Sequence, residues 1–147
     1  MRQLTLWLGL VVVIGGAFVA ATRGATPESA DEAGVRRALD AYLQGHATGV
    51  GDHFWRAMHT DMRMSFVRDG KLVHRTAAEY IGGAPGKPAA DEAKRKRRIV
   101  SIDITGTAAM AKIELDYPDA LLTDYMSLLK VDGEWKIVDK IFDRQNR

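Results

Sequence analysis

The sequence predicts an α+β domain in which three helices, early in the chain, pack on one face of an antiparallel sheet of about six strands. Three observations carry that reading. Apolar residues recur at helical spacing from Glu32 onward. Residues 99–144 are apolar and polar runs parted by turn residues. Asp69-Gly70 and Asp132-Gly133, the preferred chemistry of a two-residue hairpin turn, each separate two such runs.

Taken in order, residues 1–21 carry Arg2, an uncharged and mostly apolar stretch from Leu4, and Val19-Ala20-Ala21, the small residues a signal peptidase requires. The expectation is an exported protein, periplasmic or secreted, with the leader cleaved. The alternative is a retained membrane tether, weakened as a helix by Gly15 and Gly16. Residues 22–31, with Pro27, read as a linker, and the domain is expected over 32–144. Its first helix places Val35, Leu39, Tyr42, Leu43 and His46 on one stripe and ends at Gly49 and Gly51. Asp52 is suited to cap a second, short helix carrying Phe54, Trp55 and Met58. Strands follow at 62–68 and 71–75, and Thr76-Ala77-Ala78-Glu79 fits a capping box opening a third helix to Ile81. Residues 82–94, rich in Gly and Pro, form the longest irregular stretch and read as a solvated loop, a functional flap being the alternative. Four strands in a meander, at 99–104, 108–117, 121–131 and 134–144, complete the chain.

The Asp132-Gly133 turn works as a ruler. It sets Val131 opposite Glu134, Lys130 opposite Trp135, Leu128 opposite Ile137, Met126 opposite Asp139 and Asp124 opposite Ile141, unless a bulge intervenes. Asp124 and Asp139 then lie on an apolar face. A carboxylate there must be paired, protonated or wet, so the sheet is expected to curl around a pocket with the acids at its mouth; solvated strand ends are the alternative. Tyr42 and His46, one turn apart on the first helix, point at the same face and need partners, as site groups or as satisfied core residues.

Composition narrows the function. The net charge of +2 comes from 21 basic and 19 acidic residues, a near balance that gives no reason to expect nucleic acid. The Lys94–Arg98 run reads as a charged approach to a strand that discourages edge pairing. With no cysteine, disulfides and thiolate metal sites are excluded. His46, His53, His59 and His74 match no metal-binding spacing, and no nucleophile elbow or phosphate loop is present, so neither a metal nor another cofactor is expected.

The segment "TDYMSLLKVDGEWKIVDKIF", with Asp124-Tyr125, Leu128, Lys130, Asp132-Gly133 and Trp135-Lys136-Ile137-Val138, resembles the putative lumazine-binding branch of the nuclear transport factor 2-like superfamily, also called SnoaL-like. The helix "VRRALDAYLQGHATG" and "AMHTD" at 57–61 fit as well. The resemblance implies a cystatin-like cone, a curved sheet closed by three helices, often a homodimer formed through the outer sheet face, here the one bearing Tyr125 and Phe142. Tyr42 falls where ketosteroid isomerases of the superfamily carry a helix-one tyrosine; Phe66 stands where their aspartate base would be.

The leading expectation is a noncatalytic domain binding a small planar organic ligand. Tyr42, Trp55, Met64, Phe66 and Tyr80 would form walls, and His46, His59, Asp124 and Asp139 polar contacts. No residue is assigned as catalytic. The alternatives are an acid–base enzyme of isomerase or dehydratase type, using Tyr42 or His46 with Asp124 or Asp139, and a dimerisation or interaction module.

Overall fold

The computed structural model describes residues 29–147; the expected leader at 1–21 and most of the expected linker lie outside them. The order is α1 (Ala30–Thr48), α2 (Gly51–Ala57), β1 (Met58–Arg68), β2 (Lys71–Thr76), α3 (Ala77–Ile81), a single 3-10 turn (Glu92–Lys94), then β3 (Lys96–Thr105), β4 (Ala108–Tyr117), β5 (Ala120–Val131) and β6 (Glu134–Asn146). Six strands form one sheet in the order β2-β1-β6-β5-β4-β3. Among the described residues there are three α-helices, but α3 follows the first hairpin and is only five residues long.

Ser29 already caps α1, its hydroxyl accepting from Glu32 N at 3.0 Å. The linker expected to run to residue 31 therefore gives way to helix before that point. Asp31 is tied across the fold, accepting from Lys130 Nζ at 2.7 Å and Trp135 Nε1 at 3.1 Å. Asp52 does not cap α2: Val50 takes that position without a side-chain bond, and Asp52 sits within the first turn. The Thr76–Glu79 capping box is present, with both reciprocal bonds.

The sheet is mixed rather than wholly antiparallel. β1 runs parallel to β6, with Met58 beside Ile137 and Ser65 beside Ile141. After α3 the chain crosses to the far edge and returns through three hairpin connections. The last strand therefore meets the first hairpin with its direction already set by the meander. Both Asp-Gly turns have positive φ at both positions, 51° and 72° at Asp69-Gly70 and 51° and 82° at Asp132-Gly133, the geometry that matches strand twist.

The register read from the last turn holds through Leu128–Ile137 and then shifts. Ser127 pairs with Asp139, Met126 with Lys140, Tyr125 with Ile141 and Asp124 with Phe142. Val138 is the extra residue of a bulge, and every side chain beyond it changes face. Lys140 turns inward and is 3% exposed, whereas Ile141 is 55% exposed. Asp139 is exposed on the outer face, so its expected place at a pocket mouth is corrected. Phe142 lies on the inner side against Phe66, ring centres 5.1 Å apart, and does not belong to the outer face assigned to it.

The space between α1 and the sheet is packed with side chains: Val35, Leu39 and Tyr42 from the helix meet Met62, Ile113, Leu115, Met126, Leu128 and Ile137, all at most 1% exposed. The hollow expected beneath β5 and β6 is thus filled. Two close approaches shape the end of α1. A Cβ at Gly45 would lie 2.6 Å from the Phe54 ring, so only glycine lets α2 close onto the helix. Gly49, the left-handed cap of α1 at φ 72°, faces the 82–95 segment: Gly86 N donates to its carbonyl at 2.8 Å, and a Cβ there would meet Lys87 O at 2.2 Å. That segment, expected as a solvated loop, docks on the helix end.

Gly45→Ala is expected to destabilise the fold by about 1–3 kcal/mol through overpacking against Phe54. Urea denaturation measures it, and an unchanged midpoint would contradict the close packing described.

Candidate functional site

A buried polar cluster occupies the centre of the inner sheet face. The α1 stripe delivers Tyr42, β5 delivers Asp124, and the Val138 bulge delivers Lys140. Tyr42 OH donates to Asp124 Oδ2 at 2.7 Å. Lys140 Nζ donates to Tyr42 OH at 2.6 Å and lies 3.1 Å from Asp124 Oδ2. Tyr42 and Asp124 are fully buried. The second carboxylate oxygen, Asp124 Oδ1, is buried with no hydrogen-bond partner among the described residues.

The cluster extends towards the end of α1. Tyr80 OH on α3 is 3.4 Å from Tyr42 OH and 3.0 Å from His46 Nε2. Tyr117 OH at the end of β4 is 3.3 Å from His46 Nδ1 and accepts from Arg97 Nε at 3.2 Å. Arg97 also donates to the His46 carbonyl at 3.2 Å and forks onto Glu92 at 2.5 and 2.8 Å. One arrangement of protons makes every contact a bond. Arg97 donates to Tyr117, and Tyr117 to His46 Nδ1. His46 Nε2–H then donates to Tyr80, Tyr80 to Tyr42, and Tyr42 to Asp124. Neutral His46 with its proton on Nε2 is the tautomer that completes the series.

The electrostatics agree with it. Burial, then the charges of Lys140, Arg97 and Arg95, hold His46 well below its usual value of 6.5. Burial and the Asp124 charge push the Tyr42 hydroxyl well above the usual tyrosine range, and burial raises Tyr80. Burial opposes the charge on Lys140, but Tyr80 and Asp124 outweigh it, and the ammonium is held above its ordinary range.

Beside this cluster lies a cavity of about 290 Å³, open to solvent. Its walls are Gly45, His46 and Gly49 of α1, Phe54 of α2, Tyr80 of α3, and Gly83, Ala84, Pro85 and Ala89; Arg75, Lys87 and Arg95 complete its lining. Phe54 meets His46 and Tyr80 edge-on, with ring centres 5.3 and 5.4 Å away. A larger hollow of about 530 Å³ lies along the outside of α1, between Arg37, Asp40, Gln44, Arg56, Glu134 and Lys136. Its rim is long charged chains of both signs, and none of the polar cluster reaches it. The smaller cavity joins aromatic walls to the His46 and Tyr80 polar atoms and to a cationic lining.

Of the residues singled out from the sequence, Tyr42, His46, Tyr80 and Asp124 come together here. The rest do not. Trp55 is 40% exposed on the outer side of α2. His59 is half-buried on β1, where its ring accepts from Asp61 N at 3.2 Å. Met64 and Phe66 belong to the packed core and do not line this cavity. Sequence reasoning missed Lys140, Phe54 as a wall, Tyr117 and Arg97. Lys140 is hidden by the bulge. Arg97 belongs to the run expected as a charged approach that discourages edge pairing, but the run alternates along β3 and turns Arg97 inward, its side chain 9% exposed. Among the described residues, no three His, Asp or Glu side chains converge as a metal site.

The sequence pattern of the family described as "Putative lumazine-binding" matches residues 30–143. The chain belongs to that family. Among solved structures it is similar to a nuclear transport factor 2-like protein of unknown function from Shewanella baltica, 27% identical, covering 78% of this chain and 94% of that one with a TM-score of 0.71. A second such protein of unknown function, from Methylobacillus flagellatus, is 28% identical over 80% of this chain and 94% of its own, with a TM-score of 0.66. The chain is also 22% identical over 101 residues, 69% of its length and 81% of the other's, to the aldolase FrzH of Cladobotryum sp. The family member described here thus has the superfamily's α+β fold with a six-stranded sheet.

Removing Lys140 alone leaves a buried carboxylate uncompensated, and Lys140→Met is expected to cost about 3–5 kcal/mol. Combined with Asp124→Asn it should cost less than the two changes added, as a double-mutant cycle in denaturant reports; simple additivity would contradict the pairing. His46 gives a pH effect of known sign. Its folded pKa is depressed, so below about 6.5 the unfolded chain binds a proton that the folded chain refuses. Stability is expected to fall as pH drops from about 7 towards 5, by up to about 1.4 kcal/mol per pH unit from this group. His46→Gln should flatten that slope by one proton, and an unchanged slope would refute a neutral His46.

Proposed function

We propose that this family member binds a small organic molecule in the cavity between the end of α1, α2, α3 and the 82–89 segment. The observation that carries the reading is the junction of that cavity with the buried polar series. Tyr80 and His46 line the cavity and are bonded through Tyr42 to Asp124 and Lys140. A ligand there would meet the apolar faces of Phe54 and Tyr80 and hydrogen-bonding groups already fixed in direction, which is the division of labour of small-molecule sites. Ala84→Phe places a ring in the cavity without touching the cluster. Metabolites that raise the melting temperature of the native protein should lose their effect in that variant; persistence of the same shifts would place binding elsewhere.

Acid–base catalysis is a second reading. It is favoured by the likeness to a protein named as an aldolase and by the hydrogen-bond series that leads from the cavity wall to a buried carboxylate. Aldol chemistry needs a proton removed beside a carbonyl and a donor for the developing oxyanion. The series Tyr80, Tyr42, Asp124 would relay that proton to Asp124 Oδ2, with Lys140 balancing the charge; Asp139, on the outer face, cannot take that part. If the protein turns over a carbonyl substrate, Tyr80→Phe is expected to lower kcat by about a hundredfold or more with KM little changed. An unaltered kcat would exclude the relay.

The outer sheet face supports self-association as a further proposal. Val67, Leu72, Met110, Tyr125 and Ile141 expose apolar surface there. Ile141→Asp should turn a dimer into a monomer in sedimentation analysis if that face pairs, and leave the assembly state unchanged if it does not. Export through residues 1–21, whether or not the leader is removed, would place this binding outside the cytoplasm.

A further inference from the structure

The charge around the cavity is one-sided. Three cationic side chains, Arg75, Lys87 and Arg95, line it, and among the described residues no carboxylate does. The acids of the neighbourhood are turned away and occupied. Asp91 accepts from Arg95 Nε at 2.8 Å, and Glu92 is forked by Arg97. Glu79 closes the capping box of α3, where Arg75 acts on it only through its field. Asp124 is taken up by Tyr42 and Lys140.

The cations themselves differ. Arg95 is committed, lying 4.2 Å over the Tyr117 ring as well as bonded to Asp91. Arg75 stands opposite Met64 on the inner side of β2, its guanidinium 5.8 Å from the Phe66 ring centre. It makes no ion pair within 4.0 Å among the described residues, and the same holds for Lys87. His46 adds no positive charge of its own, because its ring is neutral, but it marks the sign of the field: Lys140, Arg97 and Arg95 all disfavour its protonation. An uncharged guest would gain nothing from that field, and a cation would be repelled by it. The walls meanwhile offer two aromatic faces, and a volume of about 290 Å³ is at the small end of ligand pockets.

We propose that this cavity takes a flat organic acid, its carboxylate met by the rim cations Arg75 and Lys87 and its ring set against Phe54 and Tyr80. The proposal rests on the cavity being the binding site, as argued above, and adds the chemical class of the guest. A carboxylate suits the arrangement because a guanidinium offers it two parallel donors, while a lysine supplies a mobile point charge. The acid would enter carboxylate outermost, leaving the free lone pair of Tyr80 OH to accept from whatever donor its inner edge carries.

The test uses matched pairs, benzoate with benzamide and indole-acetate with indole-acetamide, titrated into the protein while the side-chain signals of Phe54 and Tyr80 are followed by NMR. The acids are expected to bind about tenfold or more tightly than their amides, the worth of one charge-assisted hydrogen bond. In Arg75→Gln/Lys87→Gln, both of them rim changes, that preference should collapse towards unity while the amides bind as before. Acid and amide binding alike in the native protein would overturn the proposal yet leave the cavity as the binding site. So would an acid preference that survives the double substitution. If none of the four compounds moves the Phe54 and Tyr80 signals, the cavity reading itself fails, and the proposal with it.

Discussion

Lys140, Asp124 and Tyr42 meet inside the protein within 3.1 Å of one another, and most of the domain's organisation follows from having to satisfy them. A lone ammonium or carboxylate at that depth is prohibitively costly, so each group is tolerable only because the others are held in place. One comes from α1, one from β5 and one from β6. Helix and sheet therefore cannot slide past each other without separating a buried charge pair. The aliphatic contacts around them, Leu39, Ile113, Met126 and Ile137, supply the driving force for burial but little direction. The polar trio supplies the direction.

The bulge at Val138 is the local device that makes this possible. Ile137 must face inward to pack on α1, and strict alternation would then send Asp139 inward after it. One extra residue reverses the order, so that Asp139 goes to solvent and Lys140 comes in. Two acids on an apolar face are exchanged for an acid and a base. The same bend puts Phe142 inside against Phe66 and Ile141 outside beside Tyr125. From the trio, hydrogen bonds lead through Tyr80 and His46 to the cavity wall and on to Tyr117 and Arg97. The cavity's polar edge is thereby fixed to the core. Gly45 and Gly49 permit the approach of Phe54 and of the 82–89 segment, which complete the enclosure.

Much of this was legible in the chain. Both Asp-Gly turns, the Thr76 capping box and the Tyr42–His46 stripe announce themselves through local chemistry, and the structure bears them out. Asp124 was conspicuous because a carboxylate on an apolar face demands a partner, and partners exist. What sequence could not give is set by distant contacts. A one-residue bulge has no signature in "WKIVDKIF", so Asp139 drew attention that belonged to Lys140. Trp55 and Phe54 are adjacent aromatics on a short helix, and which of them packs inward depends on Gly45, nine residues earlier and a helix away. The parallel pairing of β1 with β6 closes the sheet between segments more than seventy-five residues apart, beyond any local pattern. Ser29 and Asp31 have the composition of a linker, but Ser29 caps α1 and Lys130 and Trp135 hold Asp31 from across the fold.

The state of the Lys140 side chain tests the account most directly. In protein labelled with nitrogen-15 at lysine, Lys140 Nζ should give an ammonium signal, set apart from those of the exposed lysines by slow exchange with water. That signal should persist above neutral pH and move when Asp124 is replaced by Asn. A Lys140 resonance that exchanges as fast as the exposed lysines, or that titrates to the neutral amine below their range, would contradict the buried ion pair on which this structure depends.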